Sequence, residues 1–147
     1  MSEMKIVFLD VDGVLNNEQY LIRVNRTSSL GSFDPDSVYQ MCRVLMDTEA
    51  QVVVSSDWRF VHTVESFNEL MLLEGLPPNR VIGFTPRKLT STRGQEIGMW
   101  LRDHPSVTSW VAVDDLAEHH MRPLPEERIV RTSWKEGFRQ VHADRAI

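Results

Sequence analysis

The sequence predicts an α/β domain, a mostly parallel central sheet with helices on both faces. Three observations carry that prediction. Short, fully apolar runs such as Ile6-Val7-Phe8-Leu9 and Val52-Val53-Val54 recur, as strands buried on both faces require. Between them lie stretches whose apolar residues repeat at helical spacing. The chain has 147 residues, 41% hydrophobic and 25% charged, which is the make-up of one folded domain spanning residues 1–147 rather than of a disordered chain.

The elements follow in order. Lys5 to Leu9 reads as the first strand, stopped by Asp10-Val11-Asp12-Gly13. Val14 to Gly31 is polar and irregular, and residues 16–32 read as a flap. Asp34-Pro35-Asp36 starts a helix, with Asp34 as cap and Pro35 in the first turn, followed by Val38, Met41, Cys42 and Leu45 at helical spacing. Cys42 is the only cysteine; it reads as packing within that helix, and no internal disulfide can form. Val52 to Val54 is a second strand, ending in Ser55-Ser56-Asp57. Phe60, Val61, Val64, Phe67 and Met71 form the next helical stripe, closed by Gly75 and Pro77.

Arg80 to Phe84 reads as a short third strand. Ser91 or Thr92 caps a helix that carries Ile97, Trp100 and Leu101 and stops before Pro105. Val107 to Val113 is a further strand ending in Asp114-Asp115, Arg128 to Arg131 a last one, and Trp134 to Val141 a closing helix. Trp100, Trp110 and Trp134 read as core, and His119 and His120 as surface residues. None of the five histidines shows a convincing metal-ligand spacing.

The net charge of −5 argues against coating nucleic acid by bulk charge, but not against gripping a single phosphate. No apolar run reaches the roughly 18 residues needed to span a bilayer. Met1 to Lys5 reach Asp10 too soon for a signal peptide. With a lone thiol, these features lead us to expect a cytoplasmic protein with no membrane contact and no obligate protein partner.

Right-handed connections place the carboxyl ends of parallel strands on one edge, where ligands bind. Asp10 and Asp12, Ser55, and Asp114 with Asp115 all follow strands, and Arg93 opens a helix, so these groups should converge. Crowded carboxylates repel unless a cation sits among them, and an all-oxygen set suits Mg²⁺. Residues two apart on an extended chain face the same way, so one aspartate of the first pair can attack phosphorus while the other handles the leaving group's proton. Asp-x-Asp-Gly also suits a plain turn; its place after an apolar strand, matched by a second strand ending in Asp-Asp, favours a site.

The run Ile6 to Asn16 closely resembles the first motif of the haloacid dehalogenase (HAD) superfamily. Val52-Val53-Val54-Ser55 resembles its second motif and Val111-Ala112-Val113-Asp114-Asp115 its fourth. Leu15-Asn16, Ser55-Ser56-Asp57-Trp58-Arg59 and Gly94-Gln95-Glu96-Ile97 also look like small HAD domains linked to nucleic-acid end repair. The resemblance implies a three-layer, Rossmann-like fold and a Mg²⁺-dependent phosphomonoester hydrolase working through an aspartyl-phosphate. It makes Asp10 the nucleophile and Asp12 the general acid, then base. Asp12 would also touch Mg²⁺ through its backbone carbonyl. Ser55 would bond a phosphoryl oxygen. Asp114 and Asp115 would complete the metal site with Asp10, the direct ligand of the pair being left open.

The family's third motif usually supplies a lysine near a helix start. Arg93 stands there, with a fork that matches phosphate, and Lys88 is its rival. Ser56, Arg59 and Lys88 are expected to bind substrate, although Ser56 also suits a helix cap, Asp57 the cap of the next helix, and Arg59 a surface position over an aromatic. About 45 residues separate the first and second motifs, too few for a large cap domain, so the site should be open to bulky substrates such as nucleic-acid ends or phosphoproteins, with nucleotides or nucleic-acid ends slightly favoured. Arg23 and Arg26 of the flap are candidates to guide an anionic substrate. A catalytically silent phosphate- or metal-binding module on the same fold is the alternative. A phosphoacceptor receiver domain fits less well, because its acidic pair comes early and here it comes late.

Overall fold

The computed structural model describes residues 4–24, 33–87 and 90–147. Strands β1 (Met4–Leu9), β2 (Gln51–Val54), β3 (Val81–Phe84), β4 (Val107–Asp114) and β5 (Ile129–Arg131) form one all-parallel sheet in the order β3-β2-β1-β4-β5. The chain winds outward from β1 to β3, then returns to the other side of β1 for β4 and β5. The strand order therefore switches direction between β1 and β4, where an open sheet leaves a crevice at its carboxyl edge.

The helices are α1 (Glu18–Arg23), α2 (Pro35–Thr48), α3 (Val64–Leu73), α4 (Arg93–Asp103), α5 (Glu118–Met121) and α6 (Gln140–Ala146). Alternation along β1 explains the three layers. Val7 and Leu9 face one side and join Met41, Leu45, Phe67, Met71 and Ala143 of α2, α3 and α6. Ile6 and Phe8 face the other and join Ile97, Trp100 and Met121 of α4 and α5. Phe8 meets Trp100 and Trp110 edge-on, with ring centroids 5.5 and 5.7 Å away. Burying each such side chain contributes about 1.5–3 kcal/mol, so a charge placed at any of Ile6 to Leu9 would break one layer.

Helix starts follow their caps. Asp34 accepts from the Asp36 amide at 3.0 Å ahead of Pro35. Thr92 and Gln95 form a reciprocal capping box at α4, so Thr92 rather than Ser91 is its cap.

Four expectations are corrected. The described part of the flap is not irregular: Asn17 accepts from the Tyr20 amide at 2.8 Å and starts α1. The rest of the flap, with Arg26, lies outside the described residues. The helical stripe expected from Phe60 starts only at Val64, because Thr63 and Ser66 cap each other there. Phe60 and Val61 belong to a separate 3₁₀ segment and its end, and are 63% and 70% exposed. The closing helix is displaced to Gln140–Ala146 because Gly137 adopts a positive φ of 72°, which interrupts helical geometry. Trp134 precedes that break and is 41% exposed instead of core. Cys42 is half-buried, its thiol donating to the Gly75 carbonyl at 3.3 Å.

Candidate active site

Parallel register builds the site. Leu9 pairs with Val54 on one side and Val113 on the other. The ladder continues one residue past the strands: the Asp10 amide donates to Val113 at 3.1 Å, Ser55 to Leu9 at 2.8 Å and Thr85 to Val54 at 3.1 Å. Asp10, Ser55, Thr85 and Asp114 thus stand in one row across the carboxyl edge.

Asp10, Asp114 and Asp115 converge there, each offering an oxygen within 4.8 Å of the others. Asp10 and Asp114 are buried and Asp115 is half-buried. Burial, then the Asp114 charge, pushes the Asp10 carboxyl well above the usual range, with Arg93 opposing. Burial also raises Asp114, moderated by Arg93. Asp115 is raised by burial and then by Asp114. Arg93, the first residue of α4, donates to Asp114 Oδ2 at 3.0 Å and to the Ser55 carbonyl, and lies 3.5 Å from Asp10 Oδ1. Three carboxylates against one guanidinium leave uncompensated negative charge in a largely buried cluster. That excess, on hard oxygen donors alone, fits a divalent cation such as Mg²⁺.

Gly13 permits this crowding. Its φ is +83°, and a Cβ there would sit 2.2 Å from Asp115 Oδ2. Thr132 Oγ1 donates to the Gly13 carbonyl at 2.6 Å and holds the turn.

The Asp12 carboxylate stands outside the three-acid cluster and is held at both oxygens. Asn16 Nδ2 donates to Oδ1 at 3.0 Å and Trp58 Nε1 to Oδ2 at 3.3 Å. The indole is buried, with the Phe33 ring centroid 5.7 Å away. Trp58 carried no local signal, since its partner is 46 positions away.

The residues expected to meet substrate are placed differently from one another. Ser56 caps the 3₁₀ segment at residues 57–60, accepting from the Trp58 amide at 3.3 Å, so the cap is Ser56 and not Asp57. Asp57 is exposed and pairs with Arg87 at 3.0 Å. Arg59 turns inward instead of toward solvent: its side chain is 4% exposed and donates to Thr85 Oγ1 at 2.6 Å and to Glu96 Oε1 at 3.2 Å. Lys88 lies outside the described residues. Glu96, 1% exposed, also accepts from Ser91 at 2.9 Å and lies 3.7 Å from Arg87 Nε and 4.0 Å from Arg93 Nε. Thr85 and Glu96 were missed. Thr85 shares the signal of Asp10 and Ser55, a polar residue directly after an apolar strand; Glu96 reads on sequence as an ordinary first-turn acid.

Among the described residues no helix is long and apolar enough to cross a membrane. A family model described as the HAD domain in Swiss Army Knife RNA repair proteins matches residues 6–143. No curated protein and no solved structure matched the chain.

Proposed function

Because the chain belongs to the family of HAD domains in Swiss Army Knife RNA repair proteins, we propose that it removes phosphate from phosphomonoesters, with polynucleotide ends as substrate. One observation supports this above the others: the buried Asp10, Asp114 and Asp115 cluster, with Arg93 beside it, at the strand-order switch of the sheet.

In this reading Asp10 attacks phosphorus in line. A carboxylate oxygen–phosphorus bond forms, the ester P–O bond breaks, and the leaving oxygen takes a proton from Asp12. Asp12, then a carboxylate, accepts a proton from water as that water releases phosphate from Asp10. Asn16 and Trp58 keep the Asp12 carboxylate in one orientation through both steps. Arg93 and Ser55 donate to the phosphoryl oxygens, on which negative charge is spread. Asp10, the Asp12 carbonyl and one or both of Asp114 and Asp115 would hold Mg²⁺, which supplies charge neutralisation for the transferring phosphoryl group.

The family description supports a nucleic-acid substrate, and so does the rim. Phe60 is 63% exposed on the segment leaving β2, with the Arg59 guanidinium 5.4 Å from its ring centroid, and the half-exposed Arg87 lies nearby on Asp57. An exposed aromatic and a cation suit a base and its backbone phosphate.

The test is phosphate release with Mg²⁺ from RNA and DNA oligonucleotides bearing 3′- or 5′-phosphate. Mononucleotides, sugar phosphates and phosphopeptides complete the panel. RNA ends should be cleaved fastest, and chelation should abolish release. A chain inactive on every ester, or fully active in chelator, would sink the proposal.

A further inference from the structure

Arg59 is a buried arginine whose guanidinium is only partly satisfied by its neighbours. Its Nε has no hydrogen-bond partner among the described residues, and a buried unsatisfied donor is costly. Burial also lowers its pKa, opposed by the Glu96 charge. An apolar side chain would fill the space but leave the buried Glu96 carboxylate and the Thr85 hydroxyl without this partner, so the guanidinium is kept for its contacts and not for packing alone.

Those contacts lead to Ser55. Arg59 Nη1 lies 2.6 Å from Thr85 Oγ1, and arginine only donates, so the Thr85 oxygen accepts. The Thr85 proton is then free to point elsewhere, and Ser55 Oγ is the partner it faces, 3.5 Å away. That spacing is long for a hydroxyl pair, as catalytic hydrogen bonds often are before a ligand tightens them. With its oxygen accepting from Thr85, Ser55 keeps its own proton for another acceptor. The far end of the chain is anchored as well. Glu96 Oε1 holds Arg59 Nη2 at 3.2 Å and stands 4.0 Å from Arg93 Nε.

We propose that Thr85 and Arg59 are positioning residues that set the hydroxyl direction of Ser55, so that Ser55 meets a phosphoryl oxygen as a hydrogen-bond donor rather than an acceptor. Glu96 ties this relay to Arg93, so one buried carboxylate holds both phosphate-facing donors in place. The inference rests on the phosphohydrolase reading. It adds a polarity that no single residue of the site carries alone.

The experiment compares Thr85→Val, Thr85→Ser, Ser55→Ala and the Ser55→Ala/Thr85→Val double variant, with kcat and KM on one phosphomonoester. Thr85→Val keeps the shape and removes the hydroxyl. It should lower kcat about tenfold with KM within about twofold, because Ser55 keeps its hydroxyl but loses the partner that directs it. Thr85→Ser should restore kcat to within about threefold of the parent enzyme. On the Ser55→Ala background the Val substitution should do nothing further, because its effect passes through the missing hydroxyl. Should Thr85→Val fail to fold, Thr85→Cys, a weak donor of similar size, takes its place in the same cycle. An unchanged kcat for the hydroxyl-deficient variant overturns the inference, as does an undiminished loss on the Ser55→Ala background. Both results leave the phosphohydrolase reading standing. A parent enzyme inactive on every ester overturns that reading and this one together.

Discussion

Asp10→Asn separates the chemistry of the site from its stability. Asn keeps the shape of the side chain but removes its charge and its nucleophilic oxygen. At an effective dielectric of about 20, two carboxylates no more than 4.8 Å apart repel by at least about 3.5 kcal/mol, so Asp10 experiences about 7 kcal/mol from Asp114 and Asp115 together. The Arg93 guanidinium at 3.5 Å offsets about 4.7 kcal/mol of that. Neutralising Asp10 in chelator should therefore stabilise the fold by about 2 kcal/mol, which for a chain of this length raises Tm by about 4–8 °C. Hydrolysis should fall at least about 10³-fold, because no other carboxylate takes the place of a lost nucleophile. Calorimetry in chelator and phosphate release in Mg²⁺ measure the two effects on one preparation. A Tm below that of the parent chain refutes the charge-crowding argument. Near-normal turnover removes Asp10 from its role as nucleophile.

Four further outcomes are expected. Arg93→Ala should lower turnover about 10²-fold or more and Lys88→Ala far less, since Arg93 lies 3.0 Å from Asp114 and 3.5 Å from Asp10; the reverse ranking in steady-state kinetics would transfer the third motif to Lys88. Gly13→Ala should cost about 1–2 kcal/mol for its positive φ and also displace Asp115, so Mg²⁺ titrations of activity should shift to higher concentration; an unchanged midpoint would mean that Asp115 does not help hold the ion. Mg²⁺ at about a hundred times its Kd should stabilise the fold by about 2.7 kcal/mol. In chelator the pH dependence should run the other way from that of a salt-bridged acid. Asp10, Asp114 and Asp115 have raised folded-state pKa values, so the folded chain binds protons that the unfolded chain has released. Their contribution to stability therefore falls as pH rises from about 4, and urea titrations across that range should show Mg²⁺ removing the fall.

Much of the fold was legible because its signals are local. A strand buried on both faces must be apolar at every position, and Ile6 to Leu9 and Val52 to Val54 are. Polar residues directly after such strands mark a shared edge, which is why Asp10, Ser55 and Asp114 were read as neighbours across a hundred positions. Helix ends were readable where a cap and proline coincide, as at Asp34-Pro35, and misread where periodicity alone was used, as at Phe60 and Trp134. There a threonine–serine capping box and the positive φ of Gly137 outweighed apolar spacing.

What only the tertiary structure decided is which side chains hold the aspartates and the serine in place. Trp58 reaches Asp12 across 46 positions, Arg59 reaches Glu96 across 37, and Thr85 reaches Ser55 across 30. Each partnership depends on the register of two strands or the docking of a helix against the sheet. A residue's own neighbours in the chain carry no trace of either. The sequence by itself determined that acidic groups would gather at the carboxyl edge, because backbone alternation and parallel pairing leave them nowhere else to go. The orientation of those groups was decided by contacts that exist only once the layers have packed.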